Sequence, residues 1–146
     1  MRDLLSGERS IVPRIPPVMV RFFCPACWQA FDGDFDRCPA CGANRAEVWD
    51  SLDMTEKLIR ALGHRDSEVS LRAAWLLGRR KDRRAVRPLM ALVERPGDYY
   101  LRREAVRALE EIGGAEAIAF VKTLADHPVK MIRDEARRIV GGAPRQ

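Results

Sequence analysis

Leu101-Arg102-Arg103-Glu104-Ala105-Val106-Arg107-Ala108-Leu109 decides the fold, because its apolar frame occurs three times in the chain. Leu101…Ala105…Leu109 repeats Val69…Ala73…Leu77 at a spacing of 32, and returns as Ile132…Ala136…Val140 at a spacing of 31. Apolar residues four apart lie on one face of a helix. The segments before these frames repeat as well. Leu58 and Leu62 align with Leu89 and Val93, and Leu89 and Leu92 align with Val121 and Leu124. A period of this length, built from two amphipathic helices, predicts an all-α superhelix in which each helical pair covers its apolar faces with its neighbours. The predicted hairpins span about 53–80, 83–112 and 115–141.

The joints carry matching chemistry. Asp53 followed by Glu56 reads as an N-cap with its capping-box partner. Gly63-His64-Arg65-Asp66-Ser67 ends that helix, and a second one runs from about Glu68 to Arg80. Asp82, Asp98 and Asp126 are read as caps of later helices, with Pro128 in a first helical turn. Ala73, Ala105 and Ala136 share one repeated position, which predicts close helix approach there.

Asp82-Arg83-Arg84-Ala85-Val86-Arg87-Pro88-Leu89 and Leu101-Arg102-Arg103-Glu104-Ala105 resemble the openings of the outer and inner helices of HEAT repeats, in the short form also seen in phycobilisome-lyase-like proteins. The resemblance covers about 53–141 and implies a scaffold. Members of that family mostly bind proteins, some bind DNA, and those that are metal hydroxylases carry His-Glu pairs, which this chain lacks.

Upstream, the pattern changes. Cys24-Pro25-Ala26-Cys27 and Cys38-Pro39-Ala40-Cys41-Gly42 place all four cysteines within 18 residues. Two Cys-x2-Cys turns supply the four thiolates of a closed zinc site, with no position left for water. One structural Zn²⁺ on Cys24, Cys27, Cys38 and Cys41 is the expectation; an iron centre of rubredoxin type or disulfides are the alternatives the spacing allows. The segment is too short to bury a core without such a staple. Val18 to Phe22 alternates as a strand, and Asp32-Gly33-Asp34 reads as the turn between two short strands. Residues 20–45 resemble the zinc-ribbon family in its short double-knuckle form. Trp28 departs from the common pattern, in which Gly follows the first knuckle. The predicted organisation is an arm at 1–17, rich in proline (Pro13, Pro16, Pro17), a zinc ribbon at 18–48, and the helical repeats.

The 146 residues carry a formal charge of +5, divided unevenly. Residues 1–50 sum to −1 and residues 51–146 to +6. No apolar run approaches the ~20 residues of a membrane helix, and the first residues lack the apolar core of a signal peptide. A cytoplasmic protein is expected. No Ser-His-Asp or Cys-His constellation and no Gly-rich phosphate loop occurs. The two histidines, His64 and His127, fall in corresponding turns and suit capping. The chain is therefore read as non-enzymatic.

Two features mark a partner surface. Leu71 and Trp75 stand where later repeats carry Arg103 and Arg107, then Asp134 and Arg138. They are expected to be covered, by the ribbon or the arm folding back. Arg79, Arg80, Lys81, Arg83, Arg84 and Arg87 form a basic turn. Arg102, Arg103, Arg107, Arg133, Arg137 and Arg138 begin a stripe along the second helices, although Glu104 and Glu135 share a column with Arg72. The leading expectation is an adaptor that binds a protein; nucleic acid is the alternative. Ile132, Ile139 and Val140 at the last helix allow end-to-end self-association.

Overall fold

The computed structural model describes residues 20–144, so the arm at 1–17, with Val18 and Met19, lies outside the described residues. Two short antiparallel strands, β1 (Phe22–Phe23) and β2 (Ala30–Phe31), pair with Phe22 opposite Phe31 and flank the first cysteine turn. The bend at Asp32–Asp34 therefore follows β2 and does not join the two strands. It leads to an Arg37–Asn44 bridge around the second cysteine turn.

Seven α-helices follow among the described residues: α1 (Arg45–Asp50), α2 (Met54–Ala61), α3 (Ser67–Arg80), α4 (Val86–Glu94), α5 (Tyr99–Ile112), α6 (Ala115–Thr123) and α7 (Lys130–Val140). Helix α1 begins within the stretch read as ribbon and runs two residues past it; Asn44 caps it by accepting from Glu47 N–H at 3.2 Å. The Asp53 capping box is present, with Glu56 N–H donating to Asp53 at 2.9 Å and Asp53 N–H to Glu56 at 2.7 Å. Asp98 caps α5, and Asp82 caps a 3-10 turn at Arg83–Ala85 that leads into α4. Asp126 does not cap α7. It ends a second 3-10 turn, Leu124–Asp126, and pairs with Arg137 at 3.2 Å, while Pro128 lies before the helix.

Helices α2, α4 and α6 each pack on the helix that follows, and α5 stacks between α3 and α7. One continuous core results, with Leu77, Leu89, Val93, Val106, Leu109, Val121 and Ile132 fully buried. The repeated small position is buried throughout, at Ala73, Ala105 and Ala136. The repeated frame loses burial at the two ends of the stack. Val69 and Val140 are exposed, and no further helix among the described residues covers them. Ile132 belongs to the core, so self-association at the last helix would rest on Val140 and the half-buried Ile139.

The tightest joint is Gly78. A Cβ there would meet Ala108 Cα at 2.9 Å and Ala108 Cβ at 3.1 Å, so α3 and α5 touch nearly backbone to backbone. Overpacking of this kind costs about 1–3 kcal/mol, and more when backbone must move. Gly78→Leu is expected to lose about 3 kcal/mol in urea denaturation, and Gly78→Ala, whose Cβ already meets the Ala108 backbone, a large part of that. Equal stability of wild type and Gly78→Leu would show that the α3–α5 contact is looser than described.

Candidate metal centre and inner helical face

The two cysteine turns are built alike. Trp28 N–H donates to Cys24 C=O at 2.8 Å, and Gly42 N–H to Cys38 C=O at the same distance. Cys24 N–H donates to Gln29 C=O at 3.0 Å, and Cys38 N–H to Ala43 C=O at 2.9 Å. The four sulfurs lie within 4.8 Å of one another, and the Cys24–Cys41 and Cys27–Cys38 pairs are each separated by 3.7 Å. A tetrahedron with metal–sulfur bonds of ~2.3 Å has edges of ~3.8 Å, so the cage fits one ion. A disulfide needs sulfurs about 2 Å apart, and all four cysteines are free. Four protein ligands fill a tetrahedral shell, which suits a structural ion and leaves no position for a substrate.

The equivalence of the two turns explains the departure at Trp28. It sits where the second turn has Gly42, and both are left-handed, with φ of 60° and 74°. A bulky residue in that region costs roughly 1–2 kcal/mol. Docking offsets it. The Trp28 indole Nε1–H donates to Arg60 C=O at 3.2 Å, and its ring meets those of His64 at 4.7 Å and Trp49 at 6.4 Å. Phe23 contacts His64 from a second direction at 4.5 Å, and Arg60 Nη1 donates back to Pro25 C=O at 3.3 Å. The cysteine segment therefore seats on the α2–α3 turn. It does not cover Trp75, which is 49% exposed, and Leu71 is half-buried. This corrects the expectation for the ribbon; the alternative, a cap formed by the arm at 1–17, lies outside the described residues.

His64 and His127 do play the same part. Asp66 N–H donates to His64 Nδ1 at 3.0 Å, and Val129 N–H to His127 Nδ1 at 3.1 Å. Burial, then the neighbouring Arg102, holds the His127 imidazole below its ordinary value.

The arginine stripe is largely internal. Arg102 is 7% exposed, and its Nε donates to Val93 C=O at 2.7 Å. Ser70, in the same column one repeat earlier, donates to Ala61 C=O at 3.1 Å. Arg133 donates to His127 C=O at 2.8 Å. These side chains close helix ends. Arg107 makes a two-pronged pair with Glu135 at 3.0 and 3.2 Å, and Arg138 joins Glu135 at 2.9 Å and Glu110 at 2.7 Å. Burial pushes the Glu135 carboxyl up, but the hydrogen bonds from Arg107 and Arg138 outweigh it and hold the group below its ordinary value. Arg107 and Glu135, like Arg138 and Glu110, are 28 residues apart in sequence, whereas Arg138 and Glu135 are three apart on one helix.

The basic turn divides. Arg84 binds Asp53 at 2.6 Å and Asp82 at 2.8 Å, and its hydrogen bonds hold Asp82 well below the usual carboxylate range. Arg87 pairs with Glu116 at 3.1 Å, and Arg80 donates to Thr55 Oγ1 at 3.4 Å. Arg79 lies 5.8 Å over the Trp75 ring. Lys81, in a left-handed conformation that ends α3, and Arg83 are exposed.

No curated protein matches the chain. Among protein families, HEAT repeats match residues 55–140. That fold is a structural and adaptor fold, in keeping with a non-enzymatic chain, and no helix among the described residues is long and apolar enough to cross a membrane. The match covers more than half of the 146 residues and falls on the helices whose periodic core was described above, so the chain belongs to the HEAT-repeat family.

Proposed function

We propose that the protein is a non-enzymatic adaptor, with a zinc ribbon at 18–48 and three HEAT-like hairpins at 53–80, 83–112 and 115–141, that binds a protein through its repeat surface. The ion on Cys24, Cys27, Cys38 and Cys41 is read as Zn²⁺, the metal that suits a closed four-thiolate shell. One observation carries the choice of a protein partner. On the inner face Arg107 and Arg138 are neutralised within the chain by Glu110 and Glu135, whereas Trp75 stays exposed beside Arg79. A phosphate backbone needs several uncommitted cations. A protein interface is dominated by a few aromatic and Arg anchors. Arg79, Lys81 and Arg83 are the cations of the basic turn left for such a contact.

The test is affinity capture from native extract with zinc present, paired with titration against fluorescein-labelled duplex DNA and single-stranded RNA at low salt. The expected result is recovery of a protein that is lost with Trp75→Ala and diminished with Lys81→Ala/Arg83→Ala. Arg84 is left intact because it holds Asp53 and Asp82. Binding to DNA with a log–log salt slope near −0.9 per contacted phosphate would overturn the reading in favour of a nucleic-acid binder.

A further inference from the structure

Helices α3 and α5 each carry an exposed aromatic ring with an arginine beside it. On α3, the Arg79 guanidinium lies 5.8 Å from the Trp75 ring, and on α5 the Arg103 guanidinium lies 5.5 Å from the exposed Tyr100 ring. The repeat register sets Leu71 beside Arg103 and Trp75 beside Arg107. The two arginines of α5 differ in their circumstances. Arg107 is held on both prongs by Glu135. Arg103 has its Nε buried with no hydrogen-bond partner, and it is the one such side-chain atom among the described residues. With Nε closed to solvent, an incoming carboxylate meets the half-buried Arg103 side chain at its outer η nitrogens. Arg103 also lines a cleft of about 420 Å³ between α5 and α7, with Arg107, Met131, Asp134, Glu135 and Arg138.

We propose that Leu71 and Trp75 on α3, with Tyr100 and Arg103 on α5, seat a short extended peptide of another protein that places an apolar side chain on Trp75 and a carboxylate on Arg103. Charge complementarity selects this occupant. Arg72 and Arg79 are exposed on either side of Trp75, and Arg103 Nε has no acceptor among the described residues, while Arg107 and Arg138 are already neutralised. The strip thus answers one or two carboxylates, and not a polyphosphate. Neighbouring helices stand ~10 Å apart and one turn rises ~5.4 Å, so the anchor and the carboxylate lie about 12 Å apart. An extended chain covers that in three to four residues.

This inference rests on the protein-binding reading above, and its test separates the two. A phage library of random twelve-residue peptides is panned on the zinc-loaded full chain, and enriched peptides are synthesised and titrated by fluorescence anisotropy. The expected peptides carry Leu or an aromatic residue three or four positions from Asp or Glu. Trp75→Ala and Arg103→Met should each weaken them at least tenfold at unchanged melting temperature. Arg103→Lys, which keeps the charge but not the paired η nitrogens, should fall between, and Lys122→Ala on α6 should change nothing. Enriched peptides that bind Trp75→Ala and Arg103→Met undiminished would refute this strip while leaving a protein-binding adaptor intact. Peptides that bind only after deletion of residues 1–17 would make the chain's own arm the occupant and refute an external one. No enrichment, together with salt-sensitive binding of single-stranded RNA, would remove both readings.

Discussion

A chelator that strips the metal should unfold residues 20–44 and leave the helical stack folded. The cysteine segment has two strands of two residues each, and its rings Phe22, Phe23, Trp28, Phe31 and Phe35 are only half-buried. Such a core cannot offset the chain entropy alone. A structural zinc site contributes an apparent ~10–16 kcal/mol in finger peptides at neutral pH. The stack has its own core, from Leu62 to Ala136, and none of the cysteines belongs to it. Far-UV circular dichroism should therefore retain most of its helical signal. Trp28 should report the loss, because its indole leaves Arg60 C=O and the rings of His64 and Trp49. Its emission should shift to the red, and the stack should melt a few degrees lower once its α2–α3 turn is uncovered. Cys24→Ser/Cys38→Ser should reproduce the effect without chelator. Acid should mimic it, since protons compete with the metal for thiolates. Collapse of the helical signal together with the metal would show instead that the two parts fold as one unit.

What was legible in the sequence was whatever periodicity or spacing encodes. Ala73, Ala105 and Ala136 announced buried contacts and are buried. The paired cysteine turns announced a metal cage, and the sulfurs converge. The Asp53–Glu56 box formed as read. Long amphipathic side chains were less legible. An Arg can extend outward or bury its stem and reach back to a carbonyl, so Arg102 read as part of a surface stripe and proved internal. Ion pairs such as Arg107–Glu135 depend on the lateral offset of stacked helices, which a linear pattern does not record. Trp28 was visible as an anomaly, but the reason for it was not. The signal was available in the match of Trp28 to Gly42 across the two turns, which implies a shared left-handed backbone. Trp28, with Phe23 and the Arg60–Pro25 hydrogen bond, seats the cysteine segment on the α2–α3 turn and not over Trp75.

Replacing Glu135 should destabilise the stack more than any other single change on its inner face. Glu135 is 7% exposed and receives hydrogen bonds from both Arg107 and Arg138. Removing one member of a buried ionic group leaves charge uncompensated, which costs about 3–5 kcal/mol. Glu135→Leu should lose about 3 kcal/mol in urea at neutral pH, at the low end because Arg138 keeps Glu110. The pH dependence has a definite sign. The folded carboxyl sits below its ordinary value of 4.5, so the unfolded chain takes up the proton more readily. Stability from this group is complete above that value and is lost as pH falls through the lower, folded one. Glu135→Gln should flatten that acid limb, and an unchanged acid profile would show that the group does not matter in this way. The same variant addresses function. If Glu135 is what keeps the inner face from accepting phosphate, Glu135→Gln loosens Arg107 and Arg138 and should raise affinity for single-stranded RNA at low salt. The log–log salt slope would steepen by about 0.7 for each phosphate gained. A wild-type chain that already binds RNA as tightly as the variant would mean that the Glu135 pairs do not neutralise this face.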